Sequence, residues 1–280
     1  MLRILLNALR TGVVTTHYPE EPSVPPERFR GAPVLRAGSA LPPPAVCPAG
    51  ALSEHRDDGH RRVNLDIARC MFCGRCAEEP WTGAVTMGRE FELAARTRSD
   101  LQIEVAADEA EVAAIGPARD PQAATAYAAS EIRRVLGRSL HLRHLDAGSC
   151  NACDWELTAL LNPVYDVRRL GIDFVASPRH ADGVMVTGPV TRNLETAVRR
   201  TVEAVPEPRI VIAVGACAAS GGIVGEGYAS AGGVDKVLPV DVYIPGCPPR
   251  PEAIIFGILV ALGRLDARRL PQGVTGRHRD

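Results

Sequence analysis

Lysine, aromatic side chains and net charge are all scarce in this sequence of 280 residues. Lys236 is its only lysine, and a GC-rich genome accounts for the arginine bias without any functional cause. Aromatic residues make up 4 %, too few to build stacking platforms for single-stranded nucleic acid. A formal net charge of −1 creates no bulk field that would recruit nucleic acid or an anionic membrane, so no nucleic-acid partner is expected. No apolar run reaches the roughly 18 residues of a membrane span. The longest, AIIFGILVAL (253–262), reads as a buried helix. The apolar start MLRILLNALR is followed by no small-residue cleavage site, so export is not expected. It reads as an amphipathic helix that docks on a partner or a membrane surface. A phosphate-binding signature is also missing. GGIVGEG (221–227) echoes a dinucleotide fingerprint but does not open a helix after a strand, so direct NADH binding is not expected.

Against these absences stand eight cysteines: Cys47, Cys70, Cys73, Cys76, Cys150, Cys153, Cys217 and Cys247. Without an export signal, metal ligation is favoured over disulfides. Eight thiolates are two sets of four, the number an iron-sulfur cluster needs. The 46 % hydrophobic content supports a sizeable core around them.

The chain divides by texture. Residues 1–46 are an extended, Pro-rich segment with a docking helix, because their prolines remove donors and fix the backbone. Residues 47–98 hold the first cysteine group. Residues 99–138 read as a linker, loosely structured at first and helical from about Pro121. Residues 139–265 alternate strands with helices, and residues 266–280 form a polar tail. The expected strands are 139–146, 172–176, 183–187, 209–214 and 242–244. Most are continuous apolar runs, as in strands covered on both faces. Helices are expected from Asn162, with Pro163 at the first position and Gly171 past the end; from Asn193, with Val198, Val202 and Val205 on one stripe; and from Pro251. Such alternation implies an α/β, doubly wound, mostly parallel sheet of flavodoxin-like type.

Cys150, Cys217 and Cys247 each follow the end of an expected strand, and Cys153 sits one turn from Cys150. In a parallel sheet such loops emerge together at the carboxyl edge. Small neighbours (Gly148, Ser149, Gly215, Ala216, Gly246) let backbone N–H groups approach sulfur. A tetrahedral zinc site more often comes as two close C-x2-C pairs, which the isolated Cys217 and Cys247 do not provide.

The stretches GSCNACDWE, SPRHADGVMVTGPVTR, VGACAASGG and VDVYIPGCPPRPE resemble the small electron-transfer subunit of membrane-bound, energy-converting nickel-iron hydrogenases, formate hydrogenlyase included. They also resemble the B (twenty-kilodalton) subunit of complex I. The resemblance covers about 139–265 and implies a 4Fe-4S cluster on Cys150, Cys153, Cys217 and Cys247. Complex I has adjacent cysteines at the first position, whereas here Asn151 and Ala152 intervene, as in the hydrogenase branch.

CMFCGRCAEEP (70–80) keeps ferredoxin C-x2-C-x2-C spacing but lacks the fourth cysteine. In two-cluster ferredoxins the fourth cysteine of each run ligates the other cluster. Cys47-Pro48 supplies a distant Cys-Pro for the trio. Counting back from Cys47, the first run's own ligands would fall at Pro43, Ala40 and Ala37, and none is cysteine. One cluster keeps all four ligands and its twin has none, with a three-cysteine or zinc site as the alternative. Residues 1–98 resemble the ferredoxin subunit of the same hydrogenase complexes, through LRTGVVTTHYPEEP, FRG, CMFCGRC and EFELA. The resemblances together imply a fusion. A small ferredoxin-like α+β domain keeping one cluster precedes the α/β domain, and the two 4Fe-4S clusters form a two-step wire. They imply a large hydrogenase-like or complex I-like catalytic partner, membrane subunits of the same complex, a quinone site as the complex I variant, and a cytoplasmic place at the inner face of the membrane. A zinc-stabilised structural or assembly module is the alternative of another class.

Other residues carry less. His141 and His144 are expected on opposite strand faces at the surface. Arg179, His180, Arg192 and Arg250 are expected in loops near the later cysteines, as partner contacts, as charges that tune a cluster potential, or as solvated ion pairs. Glu156, one turn past Cys153, could face the cluster or a proton path.

Overall fold

The computed structural model describes residues 2–36, 41–57, 60–106, 112–113 and 136–269. The C-terminal half is built on a sheet of β7 (Leu140–Asp146), β8 (Ile172–Phe174), β9 (Gly183–Thr187), β10 (Ile210–Val214) and β11 (Val242–Ile244). All neighbouring pairs are parallel, and the order is β11-β10-β9-β7-β8. Read from the other edge this is second, first, third, fourth, fifth, the flavodoxin-like order. β9 and β10 are buried at every position, which is why their sequences are unbroken apolar runs.

The two faces bury different residues. Met185, Ile210, Ile212, Val242 and Ile244 pack on α5 (Pro251–Arg269) and on Leu157 of α2 (Ala152–Ala159). Val184, Val186, Val211 and Ala213 pack on Val198 and Val202 of α3 (Glu195–Glu203). A short α4 (Gly215–Ser220) follows β10.

The N-terminal half is β-rich. β1 (Pro33–Arg36) lies between β4 (Val85–Met87) and β6 (Val112–Ala113), antiparallel to both. β3 (His60–Asp66) lies between β2 (Leu52–Asp57) and β5 (Gln102–Ala106), again antiparallel. Leu35, Leu65, Ile67 and Leu101 belong to the same buried cluster as Val184 and Val198, so the two halves share one core. Ala95 and Tyr243 exchange both backbone hydrogen bonds, which adds a residue of the N-terminal half to the β11 edge. Residues 13–30 cross the C-terminal half as a strap. Thr16 donates its N–H to the Val164 carbonyl, and Arg169 donates to the carbonyls of Thr16 and Tyr18.

Several expectations change. Residues 47–98 contain strands and single 3-10 turns but no α-helix among the described residues, so the expected ferredoxin-like α+β character is not seen there. Residues 102–106 are a sheet strand rather than linker. The linker helix expected from about Pro121 lies outside the described residues. No α-helix spans 163–170. Asn162 does accept from the Val164 and Tyr165 N–H groups, but Asp166 at φ 40° breaks the run, and only a 3-10 turn at Val167–Leu170 follows. The α3 helix starts at Glu195, two residues after Asn193. α5 continues to Arg269, four residues past the expected limit at 265. α1 (Leu2–Thr11) is a helix as expected, with Ile4 and Leu9 exposed. No helix among the described residues is long and apolar enough to cross a membrane.

Candidate metal centre

The later cysteines sit at the carboxyl ends of three strands. Cys150 follows β7, Cys217 lies in the first turn of α4 just after β10, and Cys247 lies three residues beyond β11. Cys153 is in the first turn of α2. The four thiols stand within electrostatic reach of one another. Cys153 is pushed up by burial first and then by Cys217, Cys247 and Cys150. Cys217 is pushed up to about 11 by burial, then by Cys247 and Cys150. Two glycines keep the space clear. A Cβ on Gly215 would lie 2.5 Å from the Cys153 Sγ, and one on Gly222 would lie 2.8 Å from the Cys217 Sγ. Both have positive φ, which also disfavours a side chain.

The first cysteine group gathers around a cavity of about 20 Å³ lined by Cys47, Cys70, Cys73 and Cys76. Burial pushes Cys70 up to about 12 and Cys76 up to about 11, and the neighbouring thiols add to both. The Phe72 N–H donates to the Cys70 Sγ at 3.3 Å, and the Ala51 N–H to the Cys47 Sγ at 3.2 Å. Phe72 reaches this geometry at φ 54°, where bulky residues are rare and strain is expected. Arg30 donates to the Cys73 carbonyl, tying the strap to the cysteine loop.

Burial and neighbouring thiols raise Cys70, Cys76, Cys153, Cys217 and Cys247, and such thiols ionise together only when positive charge among them offsets the repulsion. Among the described residues, no three His, Cys, Asp or Glu side chains converge as a single bound ion requires. The sets approach each other at one place. Cys73 and Cys247 line a common cleft of about 330 Å³, and Cys73 is among the groups that push up the Cys247 thiol.

The polar residues sort differently from expectation. Arg179 and His180 precede β9, so they lie at the amino edge of the sheet, away from the cysteines. There they share a pocket with Arg138 and His141. Residues just before a parallel strand belong to that edge, and this signal was available in the sequence. Arg192 pairs with Glu195 at 3.3 Å on the surface. Arg250 lines the cysteine cleft. Burial and Glu252 raise the Glu156 carboxyl, while Arg250 lowers it.

His144 is not a free surface residue. Its Nε2 lies 3.0 Å from the Asp154 Oδ1 and 3.0 Å from the Thr187 Oγ1. Thr187 donates to Asp154 at 2.6 Å, and Ser149 donates to the other Asp154 oxygen at 2.8 Å. This network fixes the loop that carries Cys150 and Cys153. It joins residues up to 43 positions apart, so no local pattern announces it.

Comparison with known proteins bears on the same residues. A family model described as NADH ubiquinone oxidoreductase, 20 Kd subunit, matches residues 150–261. A probable membrane-bound hydrogenase subunit mbhJ of Pyrococcus furiosus is 46 % identical over 136 residues, which are 49 % of this chain and 81 % of that one. Formate hydrogenlyase subunit 7 of Escherichia coli is 45 % identical, over 50 % of this chain and 54 % of that one. The NADH-quinone oxidoreductase B-type subunit of Geotalea daltonii is 44 % identical, over 42 % of this chain and 68 % of that one. The match thus spans about half the length of the Escherichia coli relative.

Proposed function

Because this chain belongs to the NADH ubiquinone oxidoreductase 20 Kd subunit family, we propose that it is an electron-transfer subunit of a membrane-associated hydrogenase or complex I-like oxidoreductase. It carries two 4Fe-4S clusters. Cys150, Cys153, Cys217 and Cys247 hold one, and Cys47, Cys70, Cys73 and Cys76 hold the other. The observation that carries this reading is the sorting of eight thiols into two sets of four that meet at the Cys73–Cys247 cleft. What supports a cluster over a zinc ion is the ferredoxin spacing of Cys70, Cys73 and Cys76 and the isolation of Cys217 and Cys247, where zinc more often takes two close C-x2-C pairs.

The chemistry a cluster supplies at each site is one-electron storage. The chain's own residues do the rest. The thiolates fix the sites, the N–H groups of Phe72 and Ala51 donate toward sulfur, and the shared core holds the spacing. By its sequence motifs, and on a β-rich scaffold, the N-terminal half is read as a fused counterpart of the small ferredoxin subunit. The large catalytic partner covers the later cysteines, where Cys150 and Cys247 are exposed and Trp155 (73 %), two residues past Cys153, stands bare. Membrane subunits of the complex meet the uncovered face of α1 at the inner side of the membrane. The unpaired spacing of Cys150 and Cys153 favours the hydrogenase branch over the quinone-reducing one.

Anaerobically purified chain is expected to be brown, with about eight irons and as much acid-labile sulfide. About four irons would remove one site from the proposal. Colourless, zinc-loaded protein would replace it with a metal-stabilised structural module. In the large partner's sequence, two C-x2-C pairs are the sign of hydrogen chemistry, and their absence points to quinone.

A further inference from the structure

The two-cluster reading leaves one buried ion pair unused. Arg250 donates from Nε to Glu252 Oε2 at 2.9 Å and from Nη2 to Glu252 Oε1 at 2.6 Å. The Glu252 side chain is 3 % exposed and that of Arg250 is 19 % exposed. Ser23 of the strap also donates to Glu252, at 3.1 Å. The guanidinium lies over two rings of the N-terminal half, 4.7 Å from the Phe91 centroid and 5.4 Å from that of Phe29. Those rings meet edge to face, 6.4 Å apart at 86°.

Such a pair is a poor device for stability. Desolvating two charges offsets most of their attraction, and apolar replacements often fold as well. Its position suggests another use. Arg250 is three residues past Cys247, and it lines the cleft that Cys73 and Cys247 share. A charge held in a half-buried place acts over distance, because little water screens it. Fixed charges near a cluster tune its potential.

We propose that Arg250, stacked on Phe91 and Phe29, offsets the buried charge of Glu252 and so keeps that carboxylate from lowering the reduction potential at the cysteine site beside it. The proposal rests on the two-cluster reading. The arginine and the carboxylate nearly cancel while both are present. The pair therefore works as a balance whose arms can be removed one at a time. Removing the carboxylate leaves a cation, which favours the extra electron and raises the potential. Removing the cation leaves a carboxylate, which lowers it.

The test uses the full chain in its metal-loaded form. Iron per chain is counted first, which judges the two-cluster reading by itself. The potential of each site is then followed by EPR-monitored titration in wild type, Glu252→Gln, Arg250→Gln, the double variant and Arg250→Lys. At full iron load, Glu252→Gln is expected to shift the nearer site upward and Arg250→Gln downward. The double variant should return close to wild type, and Arg250→Lys should stay there. Shifts of one sign in both single variants, or no shift in either at full iron, would overturn the proposal. If Arg250→Gln fails to fold, Glu252→Gln against Arg250→Lys still decides. An upward shift in the first alone supports the electrostatic role. Equal behaviour of the two rejects it.

Discussion

The two cysteine sets are built on opposite principles. The earlier set takes three of its thiols from a loop of seven residues, 70–76, and adds Cys47 from a second loop. It rests on two three-stranded sheets and single 3-10 turns. The later set takes its thiols from the ends of three strands, spread over 98 positions from Cys150 to Cys247. It exists only when β7, β10 and β11 are already side by side. The first site is thus assembled locally on a thin scaffold, and the second globally on a thick one. Small sheets bury little surface, so a bound metal contributes a larger share of their folding free energy.

That difference predicts the largest effect. Cys73→Ser and Cys217→Ser should each remove about four of about eight irons. Their structural consequences should differ. Loss of Cys73 is expected to open residues 41–98 to proteolysis, because the metal there is part of the scaffold. Loss of Cys217 should leave the five-stranded sheet protected. Limited proteolysis with mass spectrometry reads both outcomes, and equal protection in the two variants would break the contrast.

A smaller effect isolates the later site without touching a thiol. Gly215 sits at φ 88°, and any Cβ there would lie 2.5 Å from the Cys153 Sγ. Gly215→Val should cost about 1–3 kcal/mol in backbone strain alone. It should also lower iron at the later site while the earlier site keeps its own. The check is iron count together with the midpoint of thermal unfolding. Iron loss shared equally by both sites would mean that the halves do not assemble independently.

The same contrast explains what could be read from the sequence. Strands β9, β10 and β11 were legible because both of their faces are covered, so Ile210–Val214 and Gly183–Thr187 run almost wholly apolar. The gathering of the later cysteines followed from strand ends. The β-structure of the N-terminal half was not legible, because its two longest strands, LSEHRD and HRRVNLD, are rich in charged residues and carry no apolar run. A signal did exist in Asp58-Gly59, a hairpin dipeptide between the runs that become β2 and β3. The helix expected after Asn162 failed at Asp166, a conformational choice invisible in the apolar spacing. The surroundings of His144 and Arg250 were not legible, because Thr187 in one case and Phe29 and Phe91 in the other come from distant segments.

The smallest expected effect concerns the strap that holds the two halves together. The Tyr18 hydroxyl donates to the Glu92 Oε1 at 2.7 Å in a buried setting, and Tyr18 packs on Phe91. Burial raises the Glu92 carboxyl above its ordinary 4.5, and Glu90 adds to the rise, although the Tyr18 bond opposes it. A carboxyl that binds its proton more tightly in the folded state contributes stability that is fully present below about 4.5 and is lost as pH rises through the folded pKa. Glu92→Gln keeps an oxygen acceptor for Tyr18 and removes the titration. The variant should match wild type at the acid end of this window and become the more stable of the two as pH approaches neutrality. Measuring the difference between the two proteins cancels any acid sensitivity of the metal sites, which both share. A difference that stays constant with pH would mean that Glu92 is solvated in the folded chain and that the strap is held by its apolar contacts alone.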